Sequence, residues 1–115
     1  MSRIDQINEL IKQELAKIIL EELEFDPGVF ATIMNVETSD SLETANVWVS
    51  IFPEGNTGST LETLNKNIGL IQSILNKRIA LRFVPRIAFK IDKSQSYASE
   101  IEKVFKKIDE KNEVE

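Results

Sequence analysis

Ile4, Ile7, Ile11, Leu15 and Ile18 recur at steps of three and four residues, the spacing of one face of an α-helix, and Ser2 stands ahead of them as a cap. An amphipathic helix is predicted from about Ser2 to Glu22, stopped by Pro27-Gly28. The period then changes. From Val29 to Glu37 and from Thr44 to Phe52 the chain is rich in β-branched and aromatic residues, and Val47, Val49 and Ile51 alternate with Trp48, Ser50 and Phe52. The polar stretch Thr38 to Ser41 between these runs predicts an antiparallel hairpin. A helical stripe returns at Leu61, Leu64, Ile68, Ile71 and Leu75, reaching about Lys77, with Ser59 and Glu62 in a capping-box pattern at its start. Gly69 interrupts this stripe. A glycine inside a helix costs about 1 kcal/mol relative to alanine, so two consecutive helices are expected, with Gly69 marking a kink or a close approach. Pro85 precedes a strand in which Ile87, Phe89 and Ile91 face one way and Arg86, Ala88 and Lys90 the other. Ile101, Val104, Phe105 and Ile108 predict a last helix, beginning between Ser94 and Ser99.

The resulting fold class is α+β, a small sheet covered on one face by helices, in the order αββααβ with a C-terminal helix added. At 115 residues the chain fits a single domain, expected over residues 1–109, with a frayed charged tail at 110–115. An αββααβ order is the KH type II topology, in which a GxxG loop between the two consecutive helices clamps a nucleic-acid backbone. The GxxG of this chain, Gly55-Asn56-Thr57-Gly58, lies on a different turn, between the second strand and the first of those helices. It is therefore read as a flexible connection ending at the Ser59 cap.

Cysteine and histidine are both absent, which removes disulfides, thiolate metal sites and the Ser-His and Cys-His arrangements of nucleophilic catalysis. An enzyme reading has no candidate residues, and no cofactor is implied. The densest acidic group, Glu21, Glu22, Glu24 and Asp26, matches no metal-ligand spacing and is read as a solvated helix end. The N-terminal stretch mixes charged and apolar residues unlike a signal peptide, and no apolar run approaches membrane-spanning length, so a cytoplasmic location is expected.

The net charge of −5 conceals a segregation. Residues 1–65 carry −9 and residues 94–115 carry −2, whereas residues 66–93 carry +6: Lys66, Lys77, Arg78, Arg82, Arg86, Lys90 and Lys93 against Asp92. On the predicted layout these cations fall on the paired helices and the last strand, and one contiguous phosphate-meeting region is expected.

The stretch "TLNKNIGLIQSIL" resembles the bacterial ribosome-binding factor A family, whose KH-like fold has an interhelical Ala-x-Gly kink in place of GxxG. Asn67-Ile68-Gly69 stands at that place, with Gly69 matching and Asn67 where alanine is usual. Asparagine tolerates unusual backbone angles, so an Asn-x-Gly kink is expected. The resemblance runs from about Ile4 to Ile108. It includes Asp26-Pro27, then Val36, Ser39, Leu42, Ala45, Val47 and Val49 through the hairpin, and Leu81-Arg82, Pro85, Ile87, Phe89, Asp92 and Ser94 beyond the helices. Ser41 replaces an aspartate, Gln72 stands where an arginine is common and Ala98 where a glycine is usual. The Gln72 departure removes one expected phosphate contact.

This resemblance implies a cold-shock-associated assembly factor, not an enzyme. It would bind the free small (30S) ribosomal subunit as a monomer and promote late 16S rRNA maturation, including 5′-end processing, with a ribosome-associated GTPase helping its release. On that reading Lys66, Lys77, Arg78, Arg82, Arg86, Lys90 and Lys93 meet phosphates, and Asn67 and Gly69 let backbone approach backbone. Trp48, Phe52 and Tyr97 are read as core or edge residues, not stacking platforms. Two rivals remain open: a stand-alone KH-like module for single-stranded RNA, and a protein-interaction module using the acidic N-terminal helix.

Overall fold

The first helix, α1 (Arg3–Glu22), starts where its cap predicts. The Ser2 hydroxyl accepts from the Asp5 N–H at 3.1 Å, and the Asp5 carboxylate accepts from the Ser2 N–H at 3.3 Å. The computed structural model describes residues 2–92. The predicted C-terminal helix and tail, with Lys93, Ser94, Tyr97 and Ala98, lie outside the described residues.

After α1, Pro27 and Gly28 form the centre of a turn closed by the Val29 N–H on the Asp26 carbonyl at 3.0 Å. Gly28 has φ +82, a value that favours glycine over any residue with a Cβ. Strands β1 (Phe30–Thr38) and β2 (Thr44–Phe52) then pair antiparallel, helices α2 (Thr57–Lys66) and α3 (Ile68–Arg78) follow, and β3 (Arg86–Ile91) pairs parallel with β2. The sheet order is β1-β2-β3, so β1 and β3 are both outer strands.

Burial follows the predicted faces. Ile11, Leu15 and Ile18 of α1, Leu64 of α2 and Ile71 and Leu75 of α3 are fully buried against Val36, Val47 and Val49 of the sheet. Each such side chain contributes about 1.5–3 kcal/mol by leaving water. Ile33, Val36, Val47, Val49, Ile87 and Phe89 turn toward the helices, while the rung Asn35, Trp48 and Lys90 turns away from them. In β1 the buried Ile33 and Val36 are three residues apart, which strict alternation forbids. A bulge at Met34 between Ile33 and Asn35 absorbs the extra residue and leaves both inside.

Two local expectations are corrected. Glu54–Asn56 forms a 3-10 turn that runs directly into α2, so Thr57 and Gly58 are helical and the GNTG stretch is no open loop. For the same reason the Ser59–Glu62 capping box does not form: Ser59 is already inside the first turn, and its hydroxyl donates to the Asn56 carbonyl at 3.2 Å. The expectation of two consecutive helices holds, but the interruption is Asn67 (φ −102, ψ 7), and Gly69 lies in the first turn of α3. The Asn67 side-chain amide donates to the Thr63 carbonyl at 2.8 Å and its N–H to the Thr63 and Leu64 carbonyls at 3.2 Å, tying the junction to α2.

Amide side chains fasten helices to both outer strands. Asn8 Oδ1 of α1 accepts from the Thr38 N–H at 2.9 Å. Gln72 of α3 bridges the start of β3: Oε1 accepts from the Ile87 N–H at 2.8 Å, and Nε2 donates to the Pro85 carbonyl at 3.1 Å and to Asn76 Oδ1 at 3.0 Å. The residue standing where an arginine is common is thus a structural clasp. Gln72→Ala leaves a part-buried N–H without its acceptor and is expected to lower the unfolding free energy by about 1–3 kcal/mol in urea denaturation. Gln13→Ala, whose amide meets only the exposed Glu9 carboxylate at 3.4 Å, is expected to change it by less than about 0.5 kcal/mol.

Candidate nucleic-acid interface

The loop from α3 to β3 passes the start of α1 and the β1–β2 turn, and the three enclose a cleft of about 640 Å³. Arg3, the first residue of α1, Arg82 of the loop and Arg86, the first residue of β3, all line it, with Glu43 as the opposing acid. Phe83 lies in the same wall, 76% exposed, with the Arg82 guanidinium 5.4 Å from its ring centroid. Three fixed positive charges beside an exposed ring suit a phosphate backbone carrying a base. Arg3 escapes a reading by segments because it stands in the acid-rich first half of the chain. Only the topology, which brings the start of α1 beside the start of β3, reveals it.

Lys90 lies farther along β3, two alternations from Arg86 and on the same face, which no described helix covers, exposed and on the rung of Trp48. Lys66 and Lys77 are exposed on the helices, across the sheet from that face. Lys66 pairs with Glu62 at 3.4 Å, but both side chains are largely solvated, so the pair holds the ammonium only weakly.

Arg78 reaches across to α1. Its guanidinium meets Glu21 at 2.6 Å and Glu14 at 3.9 Å, and the hydrogen bond to Glu21 is the main cause holding its pKa above the ordinary value. The expectation of one contiguous cationic region is therefore corrected. The alternation of β3 sends Arg86 and Lys90 to one side of the sheet, the helices keep Lys66 and Lys77 on the other, and Arg78 is paired with Glu14 and Glu21 of α1. Arg82 and Arg86 come together, joined by Arg3. Lys93 lies outside the described residues.

The α2–α3 junction forms a second element. Gly69 is exposed, and a Cβ added there would meet nothing within 4 Å, so the helix backbone is bare to the outside. No side chain caps α3 and its first turn carries no acid, so the positive end of the helix dipole stands beside Lys66. An oxyanion would be favoured at this point.

Of the aromatics, Trp48 is half-buried with its Nε1 enclosed and unpaired, and Phe52, at the end of β2, is 65% exposed opposite Phe30. No group of three or more potential metal ligands occurs among the described residues, and no helix among them is long and apolar enough to cross a membrane.

Comparison with known proteins gives a consistent result. The sequence profile described as ribosome-binding factor A matches residues 3–105. The ribosome-binding factor A of Brevibacillus brevis is 38% identical over 114 residues, covering 97% of this chain and 93% of that protein. The one from Akkermansia muciniphila is 36% identical over 107 residues, covering 93% and 85%. Among solved structures, the crystal structure of ribosome-binding factor A from Thermus thermophilus superposes with a TM-score of 0.67 at 26% identity, covering 76% of this chain and 93% of that one. A homology model of the Thermus thermophilus factor, fitted into a cryo-EM map of a 30S–RbfA complex, gives 0.64 at 28% identity, covering 75% and 91%.

Proposed function

The chain belongs to the ribosome-binding factor A family, and from that membership we propose that it binds the free small (30S) ribosomal subunit and assists its assembly. The arginine cleft of Arg3, Arg82 and Arg86 carries this reading within the fold. Its cations come from two distant stretches of the chain and stand beside a loop and an exposed ring, an arrangement that suits phosphate contact and contributes little to the core.

In the mechanism we propose, the domain is KH-like, with the Asn-x-Gly junction in place of GxxG. Arg3, Arg82 and Arg86 meet phosphates at the cleft, and Lys90 extends that contact along β3. Asn67 and Gly69 bring bare helix backbone against the RNA, flanked by Lys66 and, farther along α3, Lys77. Contacts of this kind recognise backbone shape, so binding holds an rRNA segment in one conformation without any reaction. We assign the protein to late 16S rRNA maturation and 5′-end processing under cold shock. It acts as a cytoplasmic monomer whose release is assisted by a ribosome-associated GTPase.

Co-sedimentation with free small subunits at low and moderate salt tests the reading. Binding is expected to fall with salt, and Arg82→Ala is expected to reduce the slope of log affinity against log salt by about 0.7–1, one phosphate contact. The combined variant R82E, R86E and K90E is expected to lose the subunit; binding that survives it, or no binding by the wild-type chain at either salt, would overturn the assignment. The junction gives an independent check. Gly69→Ala is expected to raise stability by about 0.5–1 kcal/mol, because alanine favours a helix and its methyl meets no neighbour. Gly69→Leu is expected to keep the fold, seen by circular dichroism, while weakening subunit binding.

A further inference from the structure

On the opposite edge of the sheet from β3 lies a feature that RNA contact leaves unused. The chain leaves α1 in extended conformation at Leu23 (φ −113, ψ 143), and Leu23 and Phe25 turn onto the first half of β1. With Ile19, Leu20, Phe30 and Ile33 they line a groove of about 400 Å³ between the end of α1 and β1. Two of these residues are conspicuously bare for their size, Leu20 at 83% and Phe30 at 64% exposure. β1 is an outer strand, and the Asn8 side chain closes its edge only at the far end, at Thr38.

The segment that leaves α1 along this groove is acidic. Glu22, Glu24 and Asp26 are exposed and interleave with the lining residues Leu23 and Phe25, whereas Glu21 is already paired with Arg78. No charged residue of either sign lines the groove itself, so these acids stand at its rim. A phosphate backbone is repelled here, which separates this surface from the one proposed for RNA.

We propose that the groove binds an extended basic segment of another protein, in which apolar residues alternate with lysine or arginine, laid along the β1 edge as an added strand. A strand edge beside a helix is the setting in which extended peptides dock by main-chain pairing, with alternate side chains setting specificity. The period of two sends the apolar residues into the groove and the cations outward to Glu22, Glu24 and Asp26. Basic arms of this kind are carried by proteins that themselves sit on nucleic acid. A protein neighbour at β1 and RNA at β3 would occupy the two outer strands without competing.

The test contains no ribosome, so its failure leaves the subunit assignment standing. The ¹⁵N-labelled full chain is titrated with a capped six-residue peptide of alternating lysine and leucine. Saturable amide shifts are expected to concentrate at Leu20–Phe25 and Ala31–Ile33. Affinity is expected to fall at least tenfold when serine replaces the leucines of the peptide. A similar fall is expected for the double variant Glu22→Lys and Glu24→Lys, or for Leu20→Asp, with the fold of each variant kept, as seen by circular dichroism. Equal affinity for the serine peptide, with shifts spread over the acidic surface, would reduce the groove to general charge attraction and sink the proposal. Groove amides that stay unmoved would sink it as well, whether the groove is held by a second copy, seen as a dimer in sedimentation velocity, or by residues 93–115 of the same chain.

Discussion

Side chains on a β-strand alternate between two faces, and here the described helices cover only one of them. A three-stranded sheet needs such a cover to bury enough apolar surface, and α1, α2 and α3 supply it by sharing the single core that contains Ile11, Leu64 and Ile71. Every odd position of β2 and β3 from Ala45 to Phe89 is consequently apolar and buried, and the even positions are left to do something else. In β3 they are Arg86, Ala88 and Lys90. The requirement that dries the core thus also sets two of the cations on the face that none of the described helices covers.

The same one-sided layering gives the molecule two unlike edges. At β3 the Gln72 clasp fixes the strand start beside α3, and the arginine cleft opens where loop, α1 and hairpin turn meet. At β1 the Asn8 clasp fixes the strand end, and the first half of the strand borders an apolar groove with acids beside it. Charge separation that looks like a property of sequence segments becomes, in three dimensions, a difference between the two sides of a narrow sheet.

Much of this was legible in the chain. The stripe from Ile4 to Ile18, the alternation from Val47 to Phe52 and the faces of 86–91 each follow one period without interruption, and the structure agrees with them. The misreadings have specific causes. Ile33 and Val36 fit no single period, because a bulge is invisible until the partner strand is in place. Ser59 and Glu62 have the spacing of a cap, but Pro53 starts a turn earlier and overrides it. Counting charge by segment hid Arg3, which belongs to the cleft by topology alone, and overcounted Arg78, whose partners are 57 and 64 residues earlier in the chain. Gln72 was legible only as a missing arginine, since its partners are backbone groups that no sequence comparison displays.

The Arg78–Glu21 pair joins the end of α3 to the end of α1. A guanidinium hydrogen-bonded to a carboxylate 2.6 Å away must exchange that partner to meet a phosphate, so Arg78 would add less to the proposed RNA contact than its charge suggests. On the function proposed above, a cation occupied in this way would shorten the bound lifetime and ease release.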